Sequence, residues 1–290
     1  LEACVRNGVK SKMLGISNGS FGDRWQGIGT ENGKDVKKIN GDWGKAIKPA
    51  HLEGQLSDDI EAVTLVANES STGVLNPVKD IVETVRQKHD PLIFVDGVTA
   101  IYGSDLRIKD LDLYALVFGT QKALALPPGL AFMAVSDRLF ERSASVRNRG
   151  FYTDLAKLRK NSAENYALTT PPVSLMYALD FQMDRILSEG MAARYRRHRE
   201  MGDAVRSWAA KHCGIFPEEG YRSNTIGVIN RGDMDFDRFH SALKAKGYEI
   251  SNGYGDVKQT TFRIGHMGDI TLARLKELLS VMDETLEEIQ

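Results

Sequence analysis

Two stretches decide how this chain folds. One is Pro91-Leu92-Ile93-Phe94-Val95, running into Asp96-Gly97-Val98-Thr99; the other is Ala115-Leu116-Val117-Phe118, running into Gly119-Thr120-Gln121-Lys122. Each is apolar without a break. A strand covered on one face alternates apolar and polar residues, whereas a continuous run reads as a strand buried on both faces of a parallel sheet. Working outward, Lys12–Ser17, Asp35–Ile39 and Ala62–Val66 read as further strands, as does Leu130–Val135 after the Pro127-Pro128-Gly129 break. Val78–Lys88 reads as a helix with Pro77 at its start, where a missing N–H costs nothing. This alternation predicts an α/β layer architecture.

The second part of the chain has another texture. Val173–Ser188 and Met191–His212 read as long helices separated by Gly190, the first with an apolar stripe of Leu175, Leu179, Met183, Ile186 and Leu187. Beyond Gly214, Thr225–Ile229, Tyr248–Ile250 and Thr261–Ile264 read as strands, and Asp237–Lys246 and Thr271–Ile289 as helices. That predicts a large domain over 1–189 and a small α+β C-terminal domain over 190–290. With 290 residues, 42% hydrophobic and 27% charged, the chain has ample material for two packed cores. A net charge of −1 implies no attraction to nucleic acid or to an anionic membrane. No apolar run approaches the ~20 residues of a membrane span. Cys4 and Cys213 make no disulfide framework and suit a reducing, cytoplasmic setting, and no signal peptide is visible. The opening Leu1-Glu2-Ala3-Cys4-Val5 has helical spacing without Met or cap, so the expectation is a helix interior and a piece of a longer chain.

Chemistry-bearing residues cluster after strands, where open α/β sheets bind ligands. The stretches are Asn18-Gly19-Ser20-Phe21-Gly22, Asn68-Glu69-Ser70-Ser71-Thr72-Gly73, Asp96-Gly97-Val98-Thr99 and Gly119-Thr120-Gln121-Lys122. Alone, Asp96 reads as a strand-end turn and Lys122 as a surface lysine. Together they lie one strand–connection–strand unit apart, so both can face one crevice. A carboxylate at the mouth of a dry strand calls for a cation. A lysine partly withdrawn from water becomes a nucleophilic amine. With the hydroxyls of Ser70, Ser71, Thr72 and Thr120 and an aromatic ring, this set meets the needs of pyridoxal phosphate: an amine for the aldehyde, a carboxylate for the ring nitrogen, donors for the phosphate and a face for the ring.

Other signals are weaker. The six histidines show no metal-binding spacing, and His266 draws notice only for its nearness to Arg263. Arg194-Tyr195-Arg196-Arg197-His198-Arg199 reads as a solvated helix face. Neither a dinucleotide-binding glycine fingerprint nor a hydrolase nucleophile elbow is present.

Several motifs carry a resemblance. Asn68 to Val74, Val95-Asp96-Gly97-Val98, Gln121-Lys122-Ala123-Leu124 with Pro127-Pro128-Gly129, Thr169-Thr170-Pro171-Pro172-Val173-Ser174-Leu175 and Phe262-Arg263-Ile264-Gly265-His266-Met267-Gly268 occur in order along the chain. The chain resembles the class V aminotransferases, in the alanine–glyoxylate and serine–pyruvate branch. The resemblance implies fold type I of the pyridoxal-phosphate enzymes, with a mostly parallel seven-stranded sheet and a homodimer. It implies Lys122 as the residue that carries the cofactor, Asp96 against the pyridine nitrogen and Ser70 on the phenolic-oxygen side. Thr120 and Gln121 would approach the phosphate, Phe21 and Val98 would take opposite faces of the ring, and Arg263 would clamp the substrate carboxylate. Thr170 would reach the phosphate of the neighbouring subunit. The expected activity moves an amino group from alanine or serine to glyoxylate or pyruvate by a ping-pong mechanism.

The sequence departs from the family at Ala67, where relatives often carry His, and at Ala167-Leu168 before the Thr-Thr-Pro motif. The family's first segment, with its Gly-rich phosphate turn, has no counterpart here, which leaves Thr120, Gln121 and the neighbour's Thr170 to hold the phosphate. Two alternatives stand beside the transaminase. One is a pyridoxal-phosphate lyase on the same fold. The other is a non-catalytic partner subunit of a redox complex, since similar chains are described as soluble hydrogenase subunits.

Overall fold

The computed structural model describes residues 1–106 and 110–289. The chain runs α1 (Glu2–Gly8), β1 (Lys12–Ser17), α2 (Ser20–Glu31), β2 (Asp35–Asn40), β3 (Ala62–Val66), β4 (Asn68–Glu69), β5 (Val74–Leu75) and α3 (Val78–Arg86). It continues through β6 (Leu92–Asp96), β7 (Ala115–Gly119), β8 (Ala131–Val135), α4 (Asp137–Ala144), α5 (Leu155–Ala163), α6 (Val173–Glu189) and α7 (Met191–His212). It ends with β9 (Ile226–Asn230), α8 (Phe236–Ala245), β10 (Ser251–Asn252), β11 (Thr261–Gly265) and α9 (Leu272–Ile289).

The main sheet has the order β2-β1-β3-β6-β7-β8. All neighbours are parallel except β8, which runs antiparallel to β7. The α/β expectation is met, with six strands among the described residues rather than the seven implied. The two apolar runs are the central strands β6 and β7. Ile93, Phe94 and Val95 are fully buried, and burying each such side chain contributes about 1.5–3 kcal/mol. One core, built from Leu14, Leu65, Val82, Ile93 and Leu116 among others, fills one face of this sheet. Another, around Trp25 and Phe94, fills the other face. The helix α2 closes tightly on the end of β1: a Cβ on Gly22 would fall 2.6 Å from the Ser17 Cα. That contact brings Phe21 to the sheet edge.

A three-stranded antiparallel sheet, β10-β11-β9, packs with α7, α8 and α9 around Trp208, Phe239, Phe262 and Met282. The strand expected at Tyr248–Ile250 is displaced. The Tyr248 N–H donates back to Leu243 O, closing α8 over Gly247 at φ +86°, a helix end that suits glycine. Pairing with β11 therefore begins only at Ser251, although Ile250 is still buried. On α6, Ile186 faces inward but Leu187 is 67% exposed, so it falls off the expected stripe. No described helix is long and apolar enough to cross a membrane.

Candidate active site

The segments that follow β1, β3, β6 and β7 surround one cavity of about 530 Å3, lined by Phe21, Arg24, Asn68, Ser70, Asp96, Val98, Gln121 and Lys122 among others. Parallel strands end on the same edge, so residues distant in sequence meet there.

Asp96 is the last residue of β6, in register between Val66 and Val117, and is 4% exposed. One carboxylate oxygen accepts the Val98 N–H at 2.8 Å. Among the described residues no cation lies within ion-pair distance. Burial raises its pKa, against the opposing pull of the Val98 N–H and the charges of Arg24 and Lys122. A carboxylate so placed is matched to a positively charged partner.

Lys122 follows β7 on a loop pinned by Thr120. The Thr120 hydroxyl donates to Pro127 O at 2.7 Å, and the Leu126 N–H donates to Thr120 O at 3.1 Å. Thr120 is fully buried and does not line the cavity. The expected approach of its hydroxyl to a phosphate is thus corrected: the hydroxyl is committed to shaping the loop. Lys122 itself is half-buried, and its amine has no hydrogen-bond or ion-pair partner among the described residues. Burial lowers its pKa, helped by the charge of Arg263 and opposed by Asp96. The amine therefore gives up its proton more easily than that of a surface lysine.

Phe21 is held through its backbone. The buried Glu69 carboxylate accepts the Phe21 and Gly22 N–H groups, each at 3.0 Å. The Phe21 ring stacks on Tyr254, with centroids 5.6 Å apart, and the Arg263 guanidinium lies over Tyr254 at 5.1 Å. Arg263 also donates to Asn252 O at 2.9 Å and reaches Ser70 O at 3.5 Å. It does not itself line the cavity, but from β11 it reaches Ser70, which does. Ser70, Val98 and Gln121 line the cavity as expected. Thr170 is exposed and does not line the cavity of its own chain.

Two lining residues escaped the sequence reading. Arg24 sits one turn after Phe21, with its guanidinium 4.9 Å from the Phe21 ring centroid; helical i, i+3 spacing was the available signal. Asn68 stood inside a quoted motif whose serines drew the attention. Its amide donates to Thr99 and Thr225 hydroxyls at 2.8 and 3.3 Å, while its Oδ1 is buried without a partner among the described residues. The basic run on α7 is also corrected, since Arg194 and His198 are 1% and 0% exposed.

Residues 21–256 match the family model for aminotransferase class V. This chain is a class V aminotransferase. The L-aspartate–glyoxylate aminotransferase of Paracoccus denitrificans is 32% identical over 93% of this chain and 71% of its own length. A relative from Anabaena cylindrica described as the soluble hydrogenase 42 kDa subunit is 30% identical over 96% of this chain and 74% of its own length. The alanine–glyoxylate aminotransferase structure from Nostoc superposes with a TM-score of 0.90 at 25% identity, covering 98% of this chain and 78% of that one. The class V aminotransferase fold is fold type I, and its cofactor is pyridoxal phosphate. The cavity fits that group. It offers a buried carboxylate without a cation, an unpartnered amine, apolar walls in Phe21 and Val98, and the unpaired Asn68 Oδ1.

Proposed function

We propose that this aminotransferase transfers the amino group of a small amino acid, alanine or serine, to glyoxylate or pyruvate. The carrying observation is that Lys122 shares one cavity with the buried Asp96, neither with an ion-pair partner among the described residues, while Arg263 reaches Ser70 on the wall of that cavity. When bound, pyridoxal phosphate supplies an aldehyde that captures amines and a ring that accepts electrons. Lys122 Nζ would carry the cofactor and then, once displaced, take the proton from the substrate Cα and return it. Asp96 would hold positive charge on the ring nitrogen. Phe21 and Val98 would take the two ring faces, Ser70 the phenolic-oxygen side and Gln121 the phosphate. The planar fork of Arg263 suits a substrate carboxylate. Two half-reactions through one set of residues give ping-pong kinetics.

The Tyr254–Phe21 stack beside Arg263 supports a small donor, because a long side chain would have to displace a ring. The family names of the relatives support glyoxylate as acceptor. In this reading residues 1–189 form the large domain, and residues 190–290 contribute Arg263 from the small one.

A homodimer belongs to the same proposal. Thr170 is exposed beside α6, on which Val173, Met176, Tyr177 and Phe181 are 48–75% exposed. An apolar stripe at helical spacing facing water is a surface suited to a second copy. The test of function is a panel of amino donors offered with glyoxylate and with pyruvate, following glycine or alanine formation. Turnover with alanine or serine supports the reading; turnover confined to long or dicarboxylic donors overturns the substrate choice.

A further inference from the structure

Arg194 is the fourth residue of α7 and does not line the cavity, and its side chain is 2% exposed. A buried guanidinium needs its charge and its N–H groups answered. Nη1 donates to Glu189 Oε2 at 2.6 Å. Nη2 donates to Asp269 Oδ1 at 3.2 Å and to the Ala123 carbonyl at 2.6 Å. Ala123 is the residue directly after Lys122. Asp269 lies in the loop that leaves β11, the strand that carries Arg263.

The same turns of α7 grip that loop elsewhere. Arg197 donates to Gly268 O at 3.0 Å and to Ile270 O, and pairs with Glu189 at 2.7 Å. The His198 ring donates through Nδ1 to Arg194 O at 2.8 Å, and Nε2 accepts the Gly268 N–H at 3.1 Å. Gly268, at φ +78°, packs so closely that an added Cβ would fall 2.9 Å from Ala125 Cβ. The segment after Lys122 and the segment after Arg263 are thus fastened to one another and to one pair of helical turns.

We propose that Arg194 is a positioning residue that fixes the separation between Lys122 Nζ and the Arg263 guanidinium. The inference rests on the proposed roles of those two groups, which must hold opposite parts of one amino acid. Arg194 spans the gap because Nη2 reaches a backbone carbonyl on one segment and a carboxylate on the other, while Nη1 is anchored on Glu189. A lysine has one nitrogen and cannot hold Glu189 and span the two segments with the same planar geometry.

The experiment uses the holoenzyme and four variants: Arg194→Met, Arg194→Lys, Arg185→Met and Arg263→Ala, with Arg194→Met/Arg263→Ala as the cycle partner. Arg185 is the control, since it pairs with the same Asp269 at 2.8 Å without touching Ala123. Two quantities are read: kcat/KM for the amino donor, and the pH midpoint of the visible absorption of bound pyridoxal phosphate. A misplacement of reacting groups lowers rates by about 10- to 100-fold, and that loss is expected for Arg194→Met. Adding Arg263→Ala should then cost far less than it costs in the wild type, because the two act on one geometry. The absorption midpoint should move by about half a pH unit in both Arg194 variants and stay fixed in Arg185→Met. If Arg194→Met does not fold, Arg194→Lys carries the same two readings. Additive losses, or a midpoint unchanged in the Arg194 variants, overturn the inference. A wild-type background in which Arg263→Ala leaves kcat/KM unchanged instead overturns the role given to Arg263, and the midpoint still judges Arg194 against Lys122.

Discussion

The Glu69 carboxylate accepts the backbone N–H of Phe21 at 3.0 Å. Its other oxygen accepts the Ser71 N–H at 3.0 Å and the Ser71 hydroxyl at 2.6 Å. The side chain is fully buried, and burial raises its pKa although these three donors and the Gly22 N–H oppose the rise. The Glu69 carboxylate thereby sits at the N-terminus of α2, where the helix dipole favours negative charge, and holds the backbone that carries the Phe21 ring.

Glu69→Gln turns one of the two acceptors into a donor facing other donors. Leaving such buried groups unsatisfied costs about 1–3 kcal/mol. The variant should unfold at lower denaturant and bind pyridoxal phosphate more weakly, because the ring wall has lost its anchor. Denaturant melts and cofactor titration check this. Unchanged cofactor affinity in a destabilised variant would show that Phe21 does not depend on Glu69.

Stability should fall as pH drops below neutral, through two buried histidines. Burial lowers His198 to about 4 and His266 to about 3, against an ordinary 6.5. Between those values and 6.5 the unfolded chain binds protons that the folded chain refuses, so the folded state loses ground as pH falls through that window. Each group contributes up to about 1.4 kcal/mol per pH unit there. Asp96 and Glu69, whose values are raised, act in the opposite sense. Both ring nitrogens of His266 are buried without partners among the described residues. His266→Phe should therefore keep stability near pH 7 and flatten the slope of Tm against pH below 6.5; an unchanged slope would contradict this account.

The exposed stripe on α6 should be a contact between two copies. Phe181 and Tyr177 are 67% and 75% exposed. Placing a charge in an apolar interface leaves it unpaired and desolvated, so Phe181→Glu should shift the protein from dimer to monomer in sedimentation and reduce activity. A wild-type protein that sediments as a fully active monomer at micromolar concentration removes the shared-site reading altogether.

The central strands were legible because burial on both faces leaves a plain mark, an unbroken apolar run. Asp96 and Lys122 were legible for the same reason, since Asp96 directly follows one such run and Lys122 lies just beyond the other, after Gly119-Thr120-Gln121. Arg24 was harder to read because a solvent-facing arginine and a cavity-facing one look alike along the chain. Thr120 shows the converse. Its position beside Lys122 suggested a ligand contact, but a hydroxyl that close to a tight loop found a nearer acceptor in Pro127. The buried Arg194 and His198 stayed hidden inside a basic run, because the loop that supplies Asp269 to the one and the Gly268 N–H to the other lies some seventy residues away in sequence, and only the fold brings it back.

The account stands or falls on Lys122. The protein should be loaded with pyridoxal phosphate, reduced with borohydride, digested and analysed by mass spectrometry. The account predicts one modified peptide, with the pyridoxyl group on Lys122, and loss of that label together with all turnover in a folded Lys122→Ala variant. A label on any other lysine, or turnover that survives Lys122→Ala, would contradict it.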